Sequence, residues 1–127
     1  MIKSYKDLQI YQISYKLALD VHLLTRSFPK EELYSLTDQI RRSSRSICAN
    51  IVEGWFKRKY KNIFIRHLTD ALGSNGETKF WLEFCKDLKY LKEEDYNNYY
   101  KKYDELGAKI QKLSDKWRNF ENKKSET

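Results

Sequence analysis

Apolar side chains recur along this chain at alternating steps of three and four residues, and almost nothing interrupts them. Tyr96, Tyr99, Tyr103, Leu106, Ile110, Leu113, Trp117 and Phe120 keep the alternation without a break, the period of a helix face packed along a seam. Ile10, Ile13, Leu17, Val21, Leu24 and Phe28 step by 3, 4, 4, 3 and 4 near the start, beside a second row of Leu8, Tyr11, Tyr15 and Ala18. With only 4 Gly and 1 Pro in 127 residues, there are too few turns for a β sandwich or barrel. The length is that of one domain with one core.

The few breaks divide the chain. Pro29 ends a first helix over about 6–26, because a proline disfavours helix in the residue before it. Ser35, Leu36, Thr37 and Asp38 read as an N-cap opening a second helix over about 35–58. A third covers about 61–90, and a fourth, opened by Glu93, Glu94 and Asp95 at the positive end of its dipole, covers about 93–118. The expected fold is all-α, an antiparallel up-down-up-down four-helix bundle over 1–120, with 121–127 disordered by composition. Gly73 and Gly76 fall inside the third helix. There each costs about 1 kcal/mol relative to Ala, which calls for a packing reason such as a close helix crossing.

Much chemistry is excluded. Neither a Walker A nor a GxGxxG loop can be written. Cys48 and Cys85 make no disulfide framework, so a reducing cytoplasm is expected, with both thiols as small core residues. No apolar run reaches membrane-span length, and no apolar region follows Met1–Lys6 as a signal peptide requires. His22 and His67 stand alone, with no close-spaced ligand pair for a metal and no Glu-x-x-His motif for a di-iron bundle site. An enzyme, a metal site and a cofactor are therefore not expected.

The charge is uneven. The chain carries a formal net charge of +7, and residues 36–61 hold seven basic side chains (Arg41, Arg42, Arg45, Lys57, Arg58, Lys59 and Lys61) against two acidic ones, Asp38 and Glu53. That segment supplies five of the seven net charges. Such clusters release counterions from phosphates, and Trp55 and Tyr60, interleaved with them, suit stacking on unpaired bases. The competing reading is a basic helix C-terminus that satisfies its own last carbonyls. Arg42, Ser46, Asn50 and Glu53 form a polar stripe on the same helix. It is either a solvated face or, turned inward, a network that Gln39 joins and that Glu77 closes through Arg42 to fix helix register.

Several blocks then resemble a known family. Gln39-Ile40-Arg41-Arg42-Ser43, Asn50-Ile51-Val52-Glu53-Gly54, Phe64-Ile65-Arg66 and Gly73-Ser74 with Glu77-Thr78 are similar to the four-helix bundle proteins encoded in 23S rRNA intervening sequences, over roughly 5–117. That family is similar in fold to the accessory variability determinant proteins of diversity-generating retroelements. The resemblance implies a ring-shaped homopentamer with a basic surface that binds nucleic acid, RNA or an RNA–DNA hybrid, and in the retroelement relatives also a reverse transcriptase. It implies no catalytic activity. Gln39, Arg41, Arg42, Ser46, Asn50, Glu53 and Gly54 match its patterned positions, and Lys57, Arg58 and Lys59 its basic stretch. Phe56 stands where relatives often carry a small residue, and Cys48 where a proline is frequent. Two expectations compete: a nucleic-acid-binding ring, and an assembly adaptor whose basic face docks an acidic partner.

Overall fold

The computed structural model describes residues 1–126, with side chains described for 1–119. Four helices build it: α1 (Gln9–Leu24), α2 (Leu36–Phe56), α3 (Lys61–Asp87) and α4 (Glu93–Glu126), with no strand among the described residues. Cross-helix contacts establish the directions. Ser43 meets Thr78, Ser46 meets Ser74 and Asn50 meets His67, so α3 numbers fall as α2 numbers rise. Arg45 meets His22 while Arg41 meets Thr25, and Asn75 meets Tyr103 while Lys86 meets Tyr96. Each helix therefore runs antiparallel to the one before it, as the short connections require. No helix among the described residues is long and apolar enough to cross a membrane.

The helix ends differ from the expected ones for local reasons. Residues Tyr5–Asp7 form a separate 3₁₀ turn with its own capping box, in which Ser4 Oγ accepts from the Lys6 N–H and Asp7 Oδ2 accepts from the Ser4 N–H at 3.1 Å. α1 consequently starts only at Gln9. It closes where the Thr25 hydroxyl donates back to the Val21 carbonyl at 2.9 Å, just before extended Phe28 and Pro29. Ser35 does not cap α2 with its side chain; its hydroxyl donates to Glu32 Oε1. α3 stops at Asp87 rather than Tyr90 because Lys89 turns to φ 65°, letting the Tyr90 N–H reach the Cys85 carbonyl and the Lys89 N–H the Lys86 carbonyl, both at 2.9 Å. That is a Schellman closure with lysine in the position usually held by glycine. α4 continues to Glu126 through residues rich in helix formers. The tail 121–127, expected to be disordered, lies outside the residues whose side chains are described.

The core is the intersection of the four apolar faces. Ile40, Ile47 and Ile51 of α2 meet Phe64, Leu68 and Leu82 of α3 and Tyr103, Leu106 and Ile110 of α4, all fully buried. Phe64 and Trp117 pack edge to face, with ring centroids at 4.6 Å, joining the start of α3 to the far part of α4. Cys48 and Cys85 are buried. Burial raises the Cys48 thiol and pushes Cys85 up to about 12, which leaves both unreactive as thiolates.

Gly73 and Gly76, expected to permit a close crossing, face open space. The crowded glycines are two others. A Cβ on Gly54 would lie 2.8 Å from His67 Cβ, and one on Gly107 would lie 2.9 Å from Asn75 Nδ2, whose amide donates to the Tyr103 carbonyl at 3.0 Å. The signal in the sequence was composition alone, which cannot say which way a glycine faces.

Gly76→Ala is expected to stabilise the protein by up to about 1 kcal/mol, and Gly54→Ala to destabilise it by about 1–3 kcal/mol; urea unfolding of both reads the opposite signs. Lys89→Gly should add about 1 kcal/mol by removing left-handed strain, seen in the same assay as a higher midpoint at unchanged slope.

Candidate nucleic-acid interface

Helix α2 separates the basic residues that the sequence places close together. Arg41 and Lys57 are 16 positions apart, about 24 Å at the helical rise. They form two clusters at opposite ends of one element, not one patch.

At the first end Arg41 turns inward. Its Nε donates to Thr25 Oγ1 at 2.8 Å and its Nη2 to the His22 carbonyl at 3.4 Å, so it ties α2 to the close of α1. Arg42 points out and pairs with Asp38 at 3.7 Å. Arg45 is exposed, and its Nη2 lies 3.2 Å from His22 Nδ1. An arginine is always a donor, so that imidazole nitrogen accepts and the ring is neutral. The charges of Arg41, then burial, then Arg45 and Arg26 lower the His22 pKa from its ordinary 6.5.

At the second end the helix-terminus reading and the ligand reading each account for part of the cluster. Arg58 Nη1 donates to the Trp55 carbonyl at 3.0 Å, and its guanidinium carbon lies 3.9 Å over the Trp55 ring, so this arginine caps the helix while staying exposed. Lys57 Nζ pairs with Glu53 Oε1 at 3.0 Å, and that hydrogen bond lowers the Glu53 carboxyl pKa. Lys59 and Lys61 make no salt bridge among the described residues. Trp55 is 7% exposed and belongs to the core. Its ring is thus not available for a base, because the 3.6-residue period that aligns it with Ile47 and Ile51 turns it inward. Tyr60 is 59% and Phe56 71% exposed.

The polar stripe turns toward α3, with different partners from those expected. Ser74 Oγ donates to Ser46 Oγ at 2.9 Å, Thr78 Oγ1 to Ser43 Oγ at 2.9 Å, and Asn50 Oδ1 lies 3.1 Å from His67 Nδ1. Glu53 lies 4.0 Å from the same imidazole nitrogen. Arg42 and Glu77 do not pair. Arg42 is held by Asp38 one turn back, and Glu77 Oε2 accepts from the Trp81 indole at 2.9 Å. Gln39 borders the groove between these groups and makes no side-chain hydrogen bond among the described residues. His67 was missed from sequence. Its signal was available only as an unpartnered Asn50, since nothing local ties residues 17 apart. Among the described residues no three His, Cys, Asp or Glu side chains gather as a metal-holding group.

A family model described as 23S rRNA-intervening sequence protein matches residues 6–112. A solved structure from Bacteroides thetaiotaomicron, described as a protein with unknown function from the S23 ribosomal protein family, is 25% identical with a TM-score of 0.75. The match covers 84% of this chain and 95% of that one. No curated protein matches the chain significantly.

With the folded His22 pKa depressed, the unfolded chain binds this proton first as pH falls below 6.5. Stability at this site is therefore lost on the acid side and rises with pH through that window. Arg41→Gln should move the His22 midpoint up toward 6.5 in an NMR titration of the imidazole, since its leading cause is removed.

Proposed function

The chain belongs to the 23S rRNA-intervening sequence protein family, and from that premise we propose that it is a non-enzymatic, oligomeric nucleic-acid-binding bundle whose ligand is RNA or an RNA–DNA hybrid. The observation that carries the reading is the set of cations without carboxylate partners. Arg58 and Lys59 are exposed and Lys61 half-buried at the turn between α2 and α3, where the Lys59 ammonium lies 5.8 Å from the ring centre of exposed Tyr60, and exposed Arg45 adds a further charge midway along α2. Unneutralised cations beside an exposed ring suit a phosphate chain with accessible bases. Lys57 and Arg42 contribute less, since Glu53 and Asp38 already compete for them, and Arg41 acts as a tie between helices.

A homopentameric ring fits this reading. Phe80, Phe84 and Leu88 form an exposed apolar strip on α3, and Leu19 and Leu23 another on α1. Two different faces are what a closed ring of identical copies joins, and a ring repeats each cationic cluster around one axis. The α3 strip also favours the second reading, an adaptor that docks a protein partner such as a reverse transcriptase, because apolar surface of this kind serves protein contacts.

Fluorescence anisotropy with a structured RNA at two salt concentrations tests the first reading. Affinity should fall steeply with salt. Lys59→Glu combined with Lys61→Glu should weaken binding about tenfold or more and flatten the log–log salt slope by about one for each phosphate no longer neutralised. Unchanged binding would overturn it. A partner that survives nuclease treatment in a pull-down favours the adaptor, and a native mass of five copies is expected for the ring.

A further inference from the structure

We infer that the outer face of α1 and α2 is a stacking track for single-stranded nucleic acid, running from Arg45 midway along α2 to the cations that follow its C-terminus. This inference rests on the nucleic-acid reading above and names the strand it takes. Four aromatic rings from three separate segments line up there. Tyr15 stacks on Tyr11 with centroids 5.6 Å apart and planes at 27°; Tyr11 meets Tyr5 edge-on at 5.0 Å; Tyr5 meets Phe56 at 5.8 Å. The two ends of the row are open, Tyr15 at 50% and Phe56 at 71% exposure, while Tyr5 and Tyr11 are half-buried against the core.

Each open ring adjoins a cation. Tyr15 lines a shallow pocket with Leu19, His22 and Arg45, and Phe56 directly precedes Lys57, Arg58 and Lys59. The nearby carboxylates are already engaged. Asp7 accepts from the Lys3 and Ser4 backbone N–H groups, Asp38 holds Arg42 and Glu53 holds Lys57. A row of rings with a positive charge at each end matches a short run of unpaired nucleotides. Bases stack on the rings, and phosphates reach the Arg45 and Lys59 ends. A duplex gains nothing from the rings because its bases are already stacked and enclosed.

The test compares two probes by anisotropy at fixed salt: a labelled oligouridylate of about ten nucleotides, within the site sizes of such tracks, and an abasic strand of equal length, which keeps the phosphates and removes the bases. The wild type should bind the oligouridylate at least about fivefold more tightly than the abasic strand, the lower bound for one stacked base. Tyr15→Ser combined with Phe56→Ser should abolish that preference while leaving abasic binding unchanged. Circular dichroism should read unchanged helix content, both rings being exposed. Photo-crosslinking of a thiouridine-containing strand to wild-type Tyr15 or Phe56, read by mass spectrometry, needs no variant at all. A preference that survives in the double variant, or crosslinks that avoid both rings, would overturn the track. A wild type that binds both probes equally would also overturn it and leave phosphate-only binding standing. A wild type that binds neither would remove the nucleic-acid reading with it. A drop in native mass of the double variant would assign the rings to an interface between copies instead, and the inference would fall.

Discussion

The seam between α2 and α3 governs the rest of the molecule. Gly54 lets the two backbones approach until His67 Cβ occupies the space a side chain would need. Along the same seam the Ser46–Ser74 and Ser43–Thr78 hydroxyl pairs and the Asn50–His67 contact repeat at successive turns. Hydroxyls this short reach each other only when the helices are close, and once buried they must be paired. The pairs are therefore satisfied in one register alone. A slip of α3 by one turn would break the bond from fully buried Thr78 to Ser43, leaving its hydroxyl only the Ser74 carbonyl of its own helix, and would part His67 from Asn50. Asn75 does the same between α3 and α4, where its amide reaches the Tyr103 carbonyl across Gly107.

That register decides what α2 shows to solvent. With Ile40, Ile47, Ile51 and Trp55 turned inward and Ser43, Ser46 and Asn50 turned toward α3, the remaining face carries Arg42, Arg45, Phe56 and the exit to Lys61. Arg41 falls between the two fates. It sits on the side toward α1 and is consumed by Thr25 and the His22 carbonyl. A count of seven basic residues in 36–61 thus resolves into different jobs. One ties helices, one caps a terminus while stacking on Trp55, two answer neighbouring acids, and Arg45, Lys59 and Lys61 have no carboxylate partner among the described residues.

How far the sequence was legible depends on the range of the interaction involved. The α4 seam and the α1 double row were plain because helical periodicity is local, and the fold class followed from them. The α3 terminus was misplaced by three residues because Lys89 adopts a left-handed turn that lysine rarely takes. The Arg42–Glu77 pair failed because an acid one turn away on the same helix competes better than one on the next helix. Trp55 and Phe56 are adjacent in sequence, yet one is core and the other is among the most exposed rings. One residue turns a helix by about 100°, and the choice of which face is inside belongs to the packing.

The sequence by itself determined that this chain forms four helices, and that its excess positive charge is concentrated along the second helix and the turn that follows it. Those properties depend on residue type, spacing and short-range backbone chemistry, all of which are read along one dimension. Tertiary structure alone decided that Gly54 and Gly107 rather than Gly73 and Gly76 admit close neighbours, that His67 completes the polar seam, and that Tyr5, Tyr11, Tyr15 and Phe56 meet in one row. Each of these joins residues many positions apart, and their distance in space is set by how the apolar faces of all four helices are buried together.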